Sequence, residues 1–155
     1  MSGVEERLTE AGLVLPASPP KPGGLYVPVR VLNGFAFVAA QFPFDASGAV
    51  FKTGRIGDEI STEEAVEAAR LCALNTLAQM RDAVGFDAIV GLARFEVSMV
   101  TDEGWDAFPR VVDGASETFL KALGPERGAH SRALFGVERL PLGLPMEMTA
   151  TFAVR

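Results

Sequence analysis

The sequence predicts an α+β domain, a mixed sheet with two helices packed on one of its faces. Three observations carry that expectation. Residues 145–154 alternate, with Met146, Met148, Ala150, Phe152 and Val154 on one side of a strand and Glu147, Thr149 and Thr151 on the other. Ser61-Thr62-Glu63-Glu64 has the form of a capping box, and the apolar residues after it recur at helical steps: Val66, Ala69, Ala73, Leu77, Met80 and Val84. The order of elements, three strands, a helix, a strand, a helix and two strands, suits helices laid on a sheet rather than alternating βαβ units.

The elements follow in order. Residues 2–11 show helical spacing at Val4, Leu8 and Ala11, and Gly12 offers a stop. Residues 16–24, Pro-Ala-Ser-Pro-Pro-Lys-Pro-Gly-Gly, cannot be regular structure, because proline removes donors and glycine adds freedom. They form a linker or extended arm, which divides the chain into residues 1–24, a helix with its arm, and residues 25–155, the main domain. Apolar runs at 25–31 and 35–40 flank Asn33-Gly34, a hairpin signal, and a third strand is expected at 49–52 after the Asp45-Ala46-Ser47-Gly48 turn. The helix opened at Ser61 closes at Gly85. Phe95, Val97 and Met99 alternate with Arg94, Glu96 and Ser98 in the next strand, and residues 106–123 form a second helix closed by Gly124-Pro125.

The penultimate strand begins near Ser131. Its alternation sets Arg132, Gly136 and Glu138 against Ala133, Phe135 and Val137, so Arg132 is expected to face away from the apolar side and to share a polar surface with Glu147. An arginine fork and a carboxylate on rigid strands are candidates for anion binding and proton transfer. Their plainer role is an ion pair of Arg132 with Glu147 or Glu138. The sheet face away from the helices would carry Glu147, Thr149, Arg94, Glu96 and Ser98, a mixed polarity that suits a subunit interface holding pockets.

Composition narrows the function classes. In 155 residues, 48% are hydrophobic and 22% charged, which describes one globular domain with a proper core. Fourteen Lys and Arg against 20 Asp and Glu give a net charge of −6, which argues against a broad nucleic-acid or anionic-membrane footprint. No apolar run approaches the roughly 20 residues needed to span a membrane, and the acidic start is unlike a signal peptide, so a cytoplasmic protein is expected. Cys72 is the sole cysteine, read as a buried mid-helix hydrophobe. His130 is the sole histidine, so neither a Ser-His-acid triad nor a two-histidine ribonuclease site is expected in one chain, and no metal spacing is present. Neither Gly23-Gly24 nor Gly136 fits a phosphate loop.

Four stretches in register resemble the RidA (YjgF) family of enamine/imine deaminases, also named endoribonuclease L-PSP or translation-initiation inhibitors. They are Tyr26-Val27-Pro28, Phe37 to Pro43 with its Ala39-Ala40-Gln41, Val112 to Phe119, and the terminal run from Ser131-Arg132 through Leu140-Pro141 to Glu147 and Ala150. The resemblance covers about residues 24–155 and implies a chorismate-mutase-like sandwich, a homotrimer with clefts between subunits, and hydrolysis of 2-imino acids to 2-oxo acids and ammonia without cofactor or metal. It implies that Arg132 grips the substrate carboxylate, that Glu147 orients or activates water, and that Tyr26, Ala40 and Phe135 line the pocket. The chain departs from the family where Ala39-Ala40 replaces Ser-Gly, where Leu134-Phe135 stands in place of a common cysteine, and at Asp113, often asparagine. The Ala40 methyl is expected to narrow the pocket. A non-catalytic small-carboxylate-binding or regulatory trimer is the alternative, and a ribonuclease or translation inhibitor stands behind both on charge and histidine count.

Overall fold

The structure, a computed structural model, describes residues 3–155, so Ser2 at the expected start of the first helix lies outside the described residues. Helix α1 (Gly3–Glu10) leads into the arm. Strands β1 (Val29–Leu32) and β2 (Phe35–Gln41) form the hairpin, followed by α2 (Thr62–Val84), β3 (Ile89–Met99), α3 (Phe108–Arg127), β4 (Ser131–Gly136) and β5 (Met146–Val154). The sheet runs β1-β2-β5-β3-β4, antiparallel except for the parallel pair β3 and β4, so it is mixed as expected.

Local chemistry accounts for the element ends. Asn33 and Gly34 take φ of 50° and 78°, the left-handed pair that a two-residue hairpin turn demands. Ser61 Oγ accepts from Glu64 N at 3.1 Å while Glu64 Oε2 accepts from Ser61 N at 2.9 Å, which completes the capping box of α2. At the other end of the helical layer, α3 breaks at Gly124, where φ is 83° and ψ 171°, and a last turn through Pro125 carries it to Arg127.

Two expectations about strands are corrected. Residues 49–52 form no strand among the described residues, only a single bridge between Phe44 and Val50, because Asp45 folds the loop back on itself by accepting from Ser47 N and Ala49 N. The first strand starts at Val29 rather than residue 25, since Pro28 cannot donate to a ladder and Leu25 to Val27 stay exposed.

Helices α2 and α3 cover one sheet face. Phe95, Phe119 and Phe152 meet at its centre with ring centroids 5.3 and 6.2 Å apart along that series, and all are fully buried. Burying each such ring stabilises by about 1.5–3 kcal/mol. The two helices cross closely at Gly114, where an added Cβ would lie 2.7 Å from the Val66 carbonyl oxygen. Helix α1 sends Val4 and Leu8, 1% and 2% exposed, into the same core. The opposite face of the sheet is bare, with Leu32, Phe35 and Phe37 exposed toward the β1 edge and polar residues across the middle.

Candidate functional site

Strand register decides which groups share a face. Ser98 of β3 pairs with Glu147 on one side and Phe135 on the other, so Phe135, Ser98 and Glu147 form a row across three strands of the bare face. Glu96 with Thr149 and Arg94 with Thr151 make the next two rows, and Arg94 spends its charge on Glu96 at 2.8 Å. Glu147 has neither a hydrogen bond nor an ion pair among the described residues. Burial pushes its carboxyl above the usual glutamate range, since nothing nearby compensates the lost water.

Arg132 does not join that row. Its partner in the parallel register is Phe95, which is fully buried, and that pairing turns the arginine toward the helices. The expected shared surface of Arg132 and Glu147 is therefore corrected: in one chain they lie on opposite faces. The apolar triplet Ala133, Phe135 and Val137 does not mark the core side, because β4 is an edge strand whose core contact is Leu134 and whose Phe135 is 48% exposed. The flexible stem of Arg132 lets its charge escape the core to the surface of α3.

There it meets a chain of polar groups. Arg132 Nη1 donates to Asp113 Oδ1 at 2.7 Å and to Ser116 Oγ at 2.9 Å, and Nη2 makes only a long 3.4 Å contact with the Pro109 carbonyl. Nε has no partner among the described residues. Ser116 Oγ lies 2.9 Å from His130 Nε2, and His130 Nδ1 lies 2.6 Å from the Gly128 carbonyl. A carbonyl only accepts, so Nδ1 carries a proton, and in the neutral ring the Ser116 hydroxyl is the donor to Nε2. The ring of His130 packs 4.9 Å from Phe95, so the sole histidine is a part-buried side chain wedged directly before β4. The ion-pair partner of Arg132 is thus Asp113, a residue given little weight in the sequence, and Ser116 was not foreseen at all.

Tyr26 and Ala40 belong to a third place, a cavity of ≈ 630 Å³ between the arm, the end of β2 and the short turn Pro141–Gly143. Its inner wall is organised by amides of α2. Gln79 Nε2 donates to the Pro20 carbonyl at 2.7 Å and to Gln41 Oε1 at 3.2 Å, Gln41 Nε2 donates to the carbonyls of Ala39 and Ala40, and Asn75 Nδ2 holds the carbonyls of Phe42 and Phe44. These three side chains are almost fully buried, and pairing is what makes their burial tolerable. Ala39 and Ala40 sit in a bulge, because Val38 pairs with Ala150 but Gln41 with Met148, so the chain gains one residue against Thr149. Tyr26, half exposed, accepts from Gly23 N at 3.1 Å through its hydroxyl. Neither Arg132, Glu147 nor Phe135 lines this cavity.

Cys72 is fully buried in α2, and burial drives its thiol well above the ordinary range, so it is an inert core residue. No cluster of three metal-ligating side chains occurs among the described residues, and none of their helices is long and apolar enough to cross a membrane.

A five-stranded mixed sheet with this strand order and helices on one side defines a chorismate-mutase-like α+β sandwich. Comparison with known proteins gives the particular family. The profile described as "YjgF/chorismate_mutase-like, putative endoribonuclease" matches residues 5–150, and the chain belongs to that family. Protein TCP17 of Trypanosoma cruzi is 31% identical over 148 residues, covering 95% of this chain and 91% of that one. The crystal structure of a "putative endoribonuclease" from Shewanella oneidensis MR-1 superposes with a TM-score of 0.92 at 29% identity, covering 97% of this chain and 99% of its own. Protein Atu1372 of Agrobacterium tumefaciens, of unknown function, gives 0.88 at 30% identity, with 98% and 94% covered.

Proposed function

We propose that the protein hydrolyses reactive 2-imino acids, and the enamines that tautomerise to them, to 2-oxo acids and ammonia, in clefts between the subunits of a homotrimer. The observation that carries this reading is Glu147: a carboxylate on a central strand of the bare sheet face, without a partner among the described residues and with its pKa raised by burial. A surface glutamate kept for solubility would not be desolvated, and one kept for packing would be paired. A glutamate shifted upward is a stronger base than an ordinary one and can both take and return a proton.

The chemistry needs nothing else from the protein that titrates. Water attacks the imine carbon, the C=N electron pair moves to nitrogen, and Glu147 takes the proton leaving the water. Glu147 returns that proton to nitrogen, giving the neutral carbinolamine, which then collapses: Glu147 takes the hydroxyl proton as the C=O bond forms, the C–N bond breaks, and nitrogen receives that second proton and leaves as ammonia. Arg132 holds the substrate carboxylate through Nε and Nη2, the edge of its guanidinium turned away from Asp113, while Asp113 and Ser116 fix the other nitrogen. Because the two residues lie on opposite faces within a chain, a site that uses both spans a subunit boundary, which the trimer supplies. The exposed Leu32, Phe35 and Phe37 support that assembly, since a contiguous apolar patch on a bare sheet is an interface signal.

The endoribonuclease description of the family is the weaker reading for this chain. Its net charge of −6 repels an RNA backbone, and its one histidine is wedged against Phe95 with both ring nitrogens engaged. The test is a coupled assay for ammonia and 2-oxo acid release from freshly generated enamines of several amino acids, with Arg132→Ala alongside. Acceleration by the wild type, and loss of both binding and turnover in the variant, are expected. Binding of 2-oxo acids without acceleration would replace the enzyme by a carboxylate-binding protein, and RNA cleavage that vanishes in Arg132→Ala would restore the ribonuclease.

A further inference from the structure

The cavity walled by the arm is too large for the smallest substrates of the proposed reaction. A three-carbon imino acid occupies on the order of 100 Å³, about three times the ≈ 30 Å³ share of a water molecule. The cavity encloses ≈ 630 Å³, within the range of pockets that take much larger ligands. Its surface is mostly apolar, with Lys21, Tyr26, Gln41 and Gln79 as the polar residues of the lining. Pro28, Phe42, Phe44, Leu142 and Leu144 supply rings and branched carbons, and the buried amides beneath them have their nitrogens already engaged by Pro20, Gln41, Ala39 and Ala40. A polar side chain entering here would find those donors taken.

The wall is built rather than draped. Arg81 of α2 donates to the carbonyls of Pro16 and Ala17 at 3.1 and 3.0 Å and Gln79 to that of Pro20, so α2 ties the arm down at three points, and the Gly23 N to Tyr26 hydroxyl bond closes a turn at its end. One lining residue, Gln41, ends the β2 ladder paired with Met148, the neighbour of Glu147 on β5, although Glu147 itself does not line the cavity.

From this we infer that the cavity is a side-chain pocket and that the preferred substrate is a 2-imino acid with a large apolar side chain, of the leucine or phenylalanine class. The inference rests on the hydrolase reading for the reaction but on the cavity alone for the side chain. The side chain lies between the arm and the Ala39–Ala40 bulge, with the imino-acid end toward Gln41, whose strand partner Met148 adjoins Glu147. The arm thereby becomes a specificity element.

The test is calorimetric titration of the full-length protein with pyruvate, 4-methyl-2-oxopentanoate and phenylpyruvate, beside kcat/KM for the corresponding imines. The two larger acids are expected to bind on the order of 10²-fold more tightly than pyruvate, as several buried carbons allow. Two variants fill the space from different sides: Ala40→Leu at the bulge, and Leu142→Trp on the exposed turn, where misfolding is not a concern. Each should cut the large-to-small preference at least tenfold. Equal affinity for the three acids, or a preference that both variants leave untouched, would overturn the pocket assignment. Fast hydrolysis of small imines without any such preference would overturn the pocket and keep the reaction, whereas tight binding of the large acids without hydrolysis would overturn the reaction and keep the pocket.

Discussion

Arg132 and Glu147 carry the two charges that the sequence marks out, and the structure treats them in opposite ways. Arg132, on the edge strand, is enclosed by partners: Asp113, Ser116 and, through the serine, His130. Glu147, two strands inward on the other face, has none among the described residues and is shifted toward its neutral form by burial. A satisfied charge is held in one orientation, which suits a group that must grip the same anion repeatedly. An unsatisfied one is poised to exchange a proton, which suits a base. The contrast teaches that the two residues differ in role even though their sequence signals are equally plain.

The sharpest way to break the contrast is to neutralise the free member. Glu147→Gln keeps the shape but cannot take a proton, and turnover is expected to fall 10²- to 10⁴-fold while 2-oxo acid binding stays within a few fold. Steady-state rates and calorimetry on the same preparation check this, with sedimentation equilibrium testing that the variant keeps the wild type's assembly, a trimer in the proposed reading.

Removing the packing under the satisfied member comes next. Phe95 is fully buried between Phe119 and the ring of His130, so Phe95→Ala is expected to cost about 3–5 kcal/mol in denaturant unfolding and to loosen Arg132 with it. A smaller change isolates the polar chain. Ser116→Ala removes one acceptor from Arg132 and leaves His130 Nε2 without its donor, a loss of about 1 kcal/mol in stability. Carboxylate affinity should weaken several fold while kcat changes little, a split that a purely structural defect would not give.

The smallest effect concerns pH. An acid whose folded pKa is raised destabilises the fold once pH exceeds its unfolded value, and the penalty is complete above the folded value. Glu147→Gln should therefore raise Tm by about 1–2 °C at neutral pH, a modest figure because the side chain is part-exposed, and the gain should vanish below the ordinary glutamate range. Thermal melts across pH 3.5 to 8, bracketing that range, read it directly.

Much of this fold was legible because its signals are local. The capping box at Ser61, the Asn33-Gly34 turn and the alternation from Met146 to Phe152 each state their element within a few residues, and each formed where expected. The facing of Arg132 was not legible, because an edge strand has only one neighbour to set its pleat, and that neighbour, Phe95, is 37 residues away in sequence. The walls of the cavity were hidden for a similar reason. Gln41, Asn75 and Gln79 look like ordinary polar residues until the helix and arm bring carbonyls to them. Asp113 was visible only as a polar helix position, and nothing local ties it to an arginine 19 residues later.

The central claim is that the free carboxylate of Glu147 does the proton transfer, and the pH dependence of kcat/KM for imine hydrolysis tests it most directly. The wild type is expected to lose activity as pH falls through a limb lying above the ordinary glutamate range, in line with the direction in which burial moves this group. In Glu147→Gln the residual rate should be low and that limb absent. A variant that keeps the wild-type rate and the same acidic limb would place the base elsewhere and contradict the account.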